Sequence, residues 1–323
     1  MHARREELGP RLRAVVSSWR LEPPRRVRSP ARGTNNWVRL LDCAGRRLVV
    51  RGYENLTGDQ VAGEHALLAA LRAAGLPFAV PSPVPLPDGR TWLATEEGPV
   101  AVFAWLPGER PDPSSHALER VGEALGRLDA AFADLDSALA PHDWRRDLAG
   151  THPDGVRLTE LGVDMAALHD LDVAYARLLD HAPTQLVHQD MALSNVLMSD
   201  GVVTALLDFE LAGLDLRVAD VVAALVQSGC TEPAPARPLA RATALLRGYG
   251  RAVRLTDVEV EALPTLLRFR AAGALVWRYG RYRRGQSSRA AVAARLDELA
   301  AMDAWVRSFG AELVTVAGDR CGR

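Results

Sequence analysis

The chain predicts an α+β protein of two lobes, a small antiparallel sheet followed by a larger helical part, on three observations. Short runs of strand-forming residues, separated by turn residues, fill the stretch up to about residue 105. Pro107-Gly108 breaks the chain, and beyond it long Ala/Leu/Arg-rich segments take over. At 323 residues the chain is long enough to build two cores.

Taken in order, residues 4–18 read as an amphipathic helix that leads through Pro23-Pro24 into the strands. Arg26–Arg32, Asn36–Asp42 and Arg46–Gly52 are predicted strands, separated by Gly33-Thr34-Asn35 and Ala44-Gly45. Thr57 or Asp59 caps a helix to about Ala74, with Leu67, Leu68 and Leu71 as its apolar stripe. Thr91–Glu96 and Val100–Trp105 complete the sheet across a turn at Glu97-Gly98-Pro99. Helices are predicted at about 115–134, 168–182, 216–228, 236–250, 257–283 and 288–309, interrupted by a hairpin. The Pro-rich stretches 81–87 and 233–238 read as rigid loops. Residues 1–105 and 106–323 are the two expected domains.

The hairpin carries the chemistry. Asn195-Val-Leu-Met-Ser199 and Val202-Val-Thr-Ala-Leu-Leu-Asp208 flank Asp200-Gly201, a strong two-residue turn. In that register Asn195 faces Leu206, and Asp208 lies one alternation further on, diagonally across at roughly 7–8 Å. The hairpin therefore offers two oxygen ligands to a hard cation such as Mg²⁺. His188-Gln189-Asp190 precedes it, with Asp190 five residues before Asn195. A carboxylate to orient an attacking hydroxyl, then an Asn and a second carboxylate for the metal on a nucleotide, is the set that phosphoryl transfer needs.

Leu186-Val-His-Gln-Asp-Met-Ala-Leu-Ser-Asn195, then Leu207-Asp-Phe-Glu210 and Asp220, resembles the phosphotransferase superfamily of aminoglycoside kinases, choline kinases and type II homoserine kinases. The resemblance implies a bilobal, protein-kinase-like fold with a nucleotide-binding first lobe. It implies Asp190 as catalytic base, Asn195 and Asp208 as Mg²⁺ ligands, and His188 and Asp220 as braces of the loop. The family usually has Gly between the His and the Asp, where this chain has Gln189. The substitution leaves the base in place and bears on the loop backbone or the acceptor.

In the first lobe, Gly33, Thr34 and Asn35 stand where backbone N–H groups of a turn can cover phosphates. The chain has no lysine, so Arg51 in Leu48-Val-Val-Arg51 is the positional substitute for the phosphate-binding strand lysine of kinases, and Glu64 is its natural partner. By resemblance the connection Val102-Phe103-Ala104-Trp105-Leu106 is the hinge on which the purine of ATP or GTP lies, with Phe103 and Trp105 beside it.

Composition narrows the partners. A formal net charge of −1 gives no reason to expect nucleic acid. All 39 basic residues are Arg, which with abundant Ala, Gly and Pro points to coding bias. Cys43, Cys230 and Cys321 have neither metal-ligand spacing nor an even disulfide framework. No apolar run of about 18 residues and no apolar leader occurs, so a cytoplasmic protein without a membrane partner is expected.

The acceptor is expected to be a small molecule, because the eleven residues between Asp208 and Asp220 are too few for a polypeptide-docking segment. A late helix with Trp277, Arg278 and Tyr279 is similar to the substrate-side helix of the homoserine kinase branch. With Gln189 these three are the acceptor-site candidates. An antibiotic hydroxyl, of nucleoside or aminoglycoside type, is favoured by Gln189 and the aromatic helix, with homoserine as the alternative. A nucleotide-binding pseudokinase scaffold is the reading from another class, opposed by the retained Asp190, Asn195 and Asp208.

Overall fold

The computed structural model describes residues 8–30, 36–151, 165–232 and 239–322. It divides into two compact units, one of Met1–Gly108, Ala138–Pro141 and Thr204–Glu210, the other of Glu109–Ser137, His142–Val203 and Leu211–Arg323. The protein is α+β, with an antiparallel sheet in the N-terminal region and helices through most of the rest.

The first unit contains α1 (Pro10–Ser18), β1 (Arg26–Arg28), β2 (Trp37–Cys43), β3 (Arg46–Gly52), α2 (Gly58–Ala73), β4 (Leu93–Thr95) and β5 (Gly98–Ala104). The strands lie in the order β1-β2-β3-β5-β4, all pairs antiparallel. Ala44 and Gly45 both take positive φ, 44° and 82°, as a tight hairpin turn requires. Strand alternation then sorts the side chains. Leu48, Val50, Val100 and Val102 join Leu12, Val15 and Val16 of α1 in one core. Arg51 faces the other way, toward α2, whose Thr57 cap closes a reciprocal capping box with Gln60.

The second unit holds α3 (Ser115–Ala133), α4 (Met165–His181), β6 (Thr184–Val187), β7 (Val196–Ser199), β9 (Gly213–Leu216), α5 (Val218–Gln227), α6 (Ala240–Tyr249), α7 (Asp257–Arg283) and α8 (Arg289–Cys321). β7 pairs with β8 (Val202–Leu206) across Asp200-Gly201, whose φ values are 51° and 76°. At the crossing of α3 and α6 the helices meet backbone to backbone. A Cβ on Gly122 would come within 2.0 Å of the Leu245 carbonyl oxygen, and one on Gly248 within 1.9 Å of that of Glu119. Around this contact Arg247 of α6 and Arg251, in the turn just after it, pair with Glu119 of α3.

Several elements depart from expectation. β1 stops at Arg28 and β4 spans three residues. The turn before β5 falls at Glu96-Glu97, because Thr95 already pairs with Gly98. Residues 213–216 form β9, paired with β6, and α5 starts only at Val218. α8 continues to Cys321 rather than 309, although Gly310, Gly318 and the Val314-Thr315-Val316 run weaken its helical pattern. Tertiary burial outweighs that propensity: Leu313, Ala317 and Cys321 are fully buried, and the Cys321 carbonyl accepts from Leu255 N at 2.7 Å. The loop at 233–238 and the start of the helix expected at 4–18 lie outside the described residues. Among the described residues no helix is long and apolar enough to cross a membrane.

Candidate active site

The loop after β6 is built around Asp220, in the first turn of α5. Its carboxylate is fully buried and accepts from the backbone N–H of His188 and of Gln189, each at 2.6 Å. Asp190 N–H donates to His188 Nδ1 at 3.1 Å, which assigns that ring nitrogen as an acceptor. Three consecutive amides are thereby satisfied inside the loop.

Two neutral amides fix the Asp190 carboxylate. Asn195 Nδ2 donates to Asp190 Oδ2 at 2.8 Å and to the Asp190 carbonyl at 2.9 Å, and Gln227 Nε2 donates to Oδ1 at 2.6 Å. With its nitrogen committed, Asn195 keeps its Oδ1 as the atom suited to a hard cation. The ladder of the β7–β8 hairpin is shorter than its sequence implies. Asn195 ends a 3-10 turn (Leu193–Asn195) before β7, and β8 stops at Leu206. Asp208 takes φ 66°, a left-handed conformation that ends extended structure, so the diagonal strand register expected for Asn195 and Asp208 does not reach either residue.

In the first unit Arg51 is surrounded by carboxylates. It lies 2.5 Å from Asp208 Oδ1, 2.7 Å from Glu210 Oε2 and 3.6 Å from Glu64 Oε1, with its guanidinium carbon 4.9 Å from the Tyr53 ring centre. Asn36 Nδ2 adds a 2.6 Å hydrogen bond to Glu210 Oε2. Burial alone would push the Arg51 guanidinium down, but Asp208, Glu210 and Glu64 outweigh it and hold it well above its ordinary value. Burial raises Glu210 and pushes Glu64 up to about 7 against the pull of Arg51. Even with Glu64 holding its proton, Asp208 and Glu210 outnumber the one guanidinium, the electrostatic setting in which a divalent cation is welcome. Among the described residues no three His, Cys, Asp or Glu side chains form a metal-binding group. The donors present suit a cation held partly by nucleotide phosphates and water, as Mg²⁺ is.

Other candidates fall differently. Gly33, Thr34 and Asn35 lie outside the described residues. Phe103 is buried and meets His65 edge-on at 5.5 Å, so its ring belongs to the core rather than to an open base platform. Trp105 carries the Arg47 guanidinium 4.9 Å from its ring, and its N–H donates to the Arg47 carbonyl, while that of Ala104 donates to Ser82. Those two backbone donors of the expected hinge are therefore engaged. Tyr279, an acceptor-site candidate, is buried in the core with Leu275, Val276 and Val292. Trp277 and Arg278 are half-buried on the same helix, and burial, then Arg295 and Arg281, lower Arg278. Gln189, by contrast, belongs to the loop itself. Glu210, Asn36, Gln227, Asp215 and Arg270 enter from the structure. Only Glu210, two residues after Asp208, and Asn36, next in sequence to Gly33-Thr34-Asn35, had a sequence signal.

Residues 26–255 match the family model described as a phosphotransferase enzyme family. The chain belongs to that family. It is 30% identical over 275 residues to a homoserine kinase of Gluconacetobacter diazotrophicus, covering 81% of this chain and 82% of that one. Its fold is similar to a microcompartment-associated aminopropanol kinase (TM-score 0.71, 18% identity, 93% of this chain and 97% of that one). It is also similar to an amicoumacin kinase in complex with AMP-PNP and Ca²⁺ (TM-score 0.70, 17% identity, 90% and 92%). The protein is a small-molecule kinase of this phosphotransferase family.

The Arg51–Glu64 pair has measurable consequences. Arg51→Ala is expected to lower kcat/KM for the nucleotide roughly 10- to 100-fold, with Arg51→Lys recovering part of the loss because it restores charge but not the fork. Glu64→Gln should give a milder defect, and the double variant should fall short of the product of the single ones. Fully multiplicative losses would mean that the two do not act together. Glu64 also links stability to pH. Between its ordinary 4.5 and about 7 the folded chain keeps a proton that the unfolded chain releases. The contribution of the neutral acid is thus complete below 4.5 and lost as pH rises through 7, by at most about 3 kcal/mol. Denaturant titrations at several pH values should show this slope flattened in Glu64→Gln.

Proposed function

We propose that the protein transfers the γ-phosphoryl group of ATP or GTP, with Mg²⁺, to a hydroxyl of a small amino-acid-like molecule, homoserine being the first acceptor to test. The observation that carries phosphoryl transfer is the Asp190 carboxylate held by Asn195 and Gln227 in a loop braced on Asp220. In this reading Asp190 orients the hydroxyl and accepts its proton, and Arg51, backed by Glu64, offsets charge on the phosphates. Asn195 and Asp208 would hold Mg²⁺, which when bound supplies charge neutralisation on the triphosphate. The protein's contribution is positioning and electrostatics.

Homoserine is favoured as acceptor by the relative at 30% identity, which spans most of both chains. The resemblance to an amicoumacin kinase is at 17% identity and bears on the fold alone. An antibiotic hydroxyl is the second reading, favoured by Gln189, which puts a side chain beside the base where the family's usual residue has none. A phosphate-transfer screen with ATP and GTP against homoserine, aminopropanol, aminoglycosides and nucleoside antibiotics separates the readings. Efficient turnover of homoserine supports the first, and turnover of an antibiotic with homoserine inert replaces it with the second. Nucleotide binding without transfer to any acceptor would favour the pseudokinase.

A further inference from the structure

Residue 189 is held in a backbone conformation that a non-glycine residue seldom adopts. Gln189 has φ 66°, in the left-handed region that glycine enters at no steric cost and other residues enter at a penalty. Such a conformation persists only where its surroundings over-determine it. Here both peptide groups of the residue are tied. Its N–H goes to Asp220, and its carbonyl accepts from Arg270 Nη2 at 2.9 Å.

The side chain is held as firmly. Arg270 Nη1 donates to Gln189 Oε1 at 3.2 Å, and Gln189 Nε2 donates to Asp215 Oδ2 in a short hydrogen bond. Asp215 is itself oriented by the Tyr175 hydroxyl at 2.6 Å and by Leu216 N–H at 2.7 Å. Tyr175 stacks at 4.3 Å on Phe269, the neighbour of Arg270 in α7. Arginine can only donate and Asp215 accepts from each of its three partners here, so a primary amide is the side chain that satisfies both at once. Shape alone would not do it: glutamate at 189 would set a second carboxylate against Asp215.

We propose that Arg270 and Asp215 form a clamp on Gln189 that imposes the left-handed turn of the catalytic loop, making both of them positioning residues for Asp190. The proposal rests on the reading of Asp190 as the base only for its catalytic consequence; the clamp itself is a statement about the loop. Glycine at 189 would take the same conformation unaided, so the clamp matters only while a side chain is present.

The test is hydrogen–deuterium exchange of the His188, Gln189 and Asp190 amides in the full chain, which needs no acceptor. Arg270→Met should speed their exchange about tenfold or more. The same change in the Gln189→Gly background should add less than about twofold. Gln189→Glu, which leaves Arg270 in place, should also speed exchange and serves if Arg270→Met fails to fold. Arg270→Lys should restore part of the protection. Equal acceleration by Arg270→Met in both backgrounds, or none in either, overturns the clamp. Steady-state kinetics with the acceptor found in the screen form the second arm. Arg270→Met should lower kcat with the nucleotide KM unchanged, whereas a purely global defect would move both. If Asp190→Asn proves fully active while the exchange pattern holds, the assignment of the base fails and the clamp stands.

Discussion

Asp190→Asn should reduce kcat by about 10²- to 10⁴-fold while nucleotide affinity stays within a few fold of wild type. The hydroxyl loses its proton acceptor, and the residues proposed for metal and phosphate are untouched. The loop has room for this change. An Asn at 190 would point an amide nitrogen at one of two donors, Asn195 Nδ2 or Gln227 Nε2. Among the described residues the buried Gln227 Oε1 has no hydrogen-bond partner, so rotating that amide by half a turn presents an acceptor to the new nitrogen. The variant should therefore fold normally, and its thermal midpoint should confirm it. Near-wild-type kcat with the true acceptor would mean that Asp190 is the wrong residue.

Asp208→Ala should have a comparable effect by a different route. Asp208 is the most exposed of the three acids on Arg51, at 32%, and Glu210 and Glu64 remain after it is removed. The pair is partly buried, and its loss is limited because Glu210 and Glu64 still face Arg51, so the cost in stability should be modest. Activity should fall by about 10²-fold or more if Asp208 holds the cation that offsets phosphate charge. Asn195→Ala should be a weaker defect, partly relieved by raised Mg²⁺, because a neutral ligand contributes less to cation binding than a carboxylate. Wild-type turnover undiminished by exhaustive chelation would rule out the cation altogether.

The same residues show what a sequence reveals of a site. β3 was readable to the residue because Arg46–Gly52 alternates on a half-buried strand, and the alternation that buries Leu48 and Val50 aims Arg51 at Glu64. β9 was not readable: Gly213-Leu-Asp-Leu216 carries a buried Asp215 at a core position, and an acid there looks like loop until its partners Tyr175 and Gln189 are seen. Arg270 and Gln227 had no local signal either. One lies 81 residues from Gln189 and the other 37 from Asp190, so their roles exist only in the folded chain. The aromatics are ambiguous in the sequence. Phe103 and Tyr279 have the size of stacking platforms, but burial claims such rings by default. Asp208 shows a further limit, since a hairpin pattern says nothing about where a residue turns left-handed and leaves its strand.

The glycine contact between α3 and α6 sets a boundary for laboratory evolution of this enzyme. Gly122 and Gly248 admit no side chain against the facing carbonyls, and a Cβ on Gly126 would come within 2.7 Å of the Tyr249 carbonyl oxygen. Random libraries aimed at a new acceptor will lose nearly every clone that changes these three codons, whatever the chemistry gained elsewhere. Diversity is better spent on the half-buried positions of α7, Trp277 and Arg278, where neighbours can adjust without parting two helices.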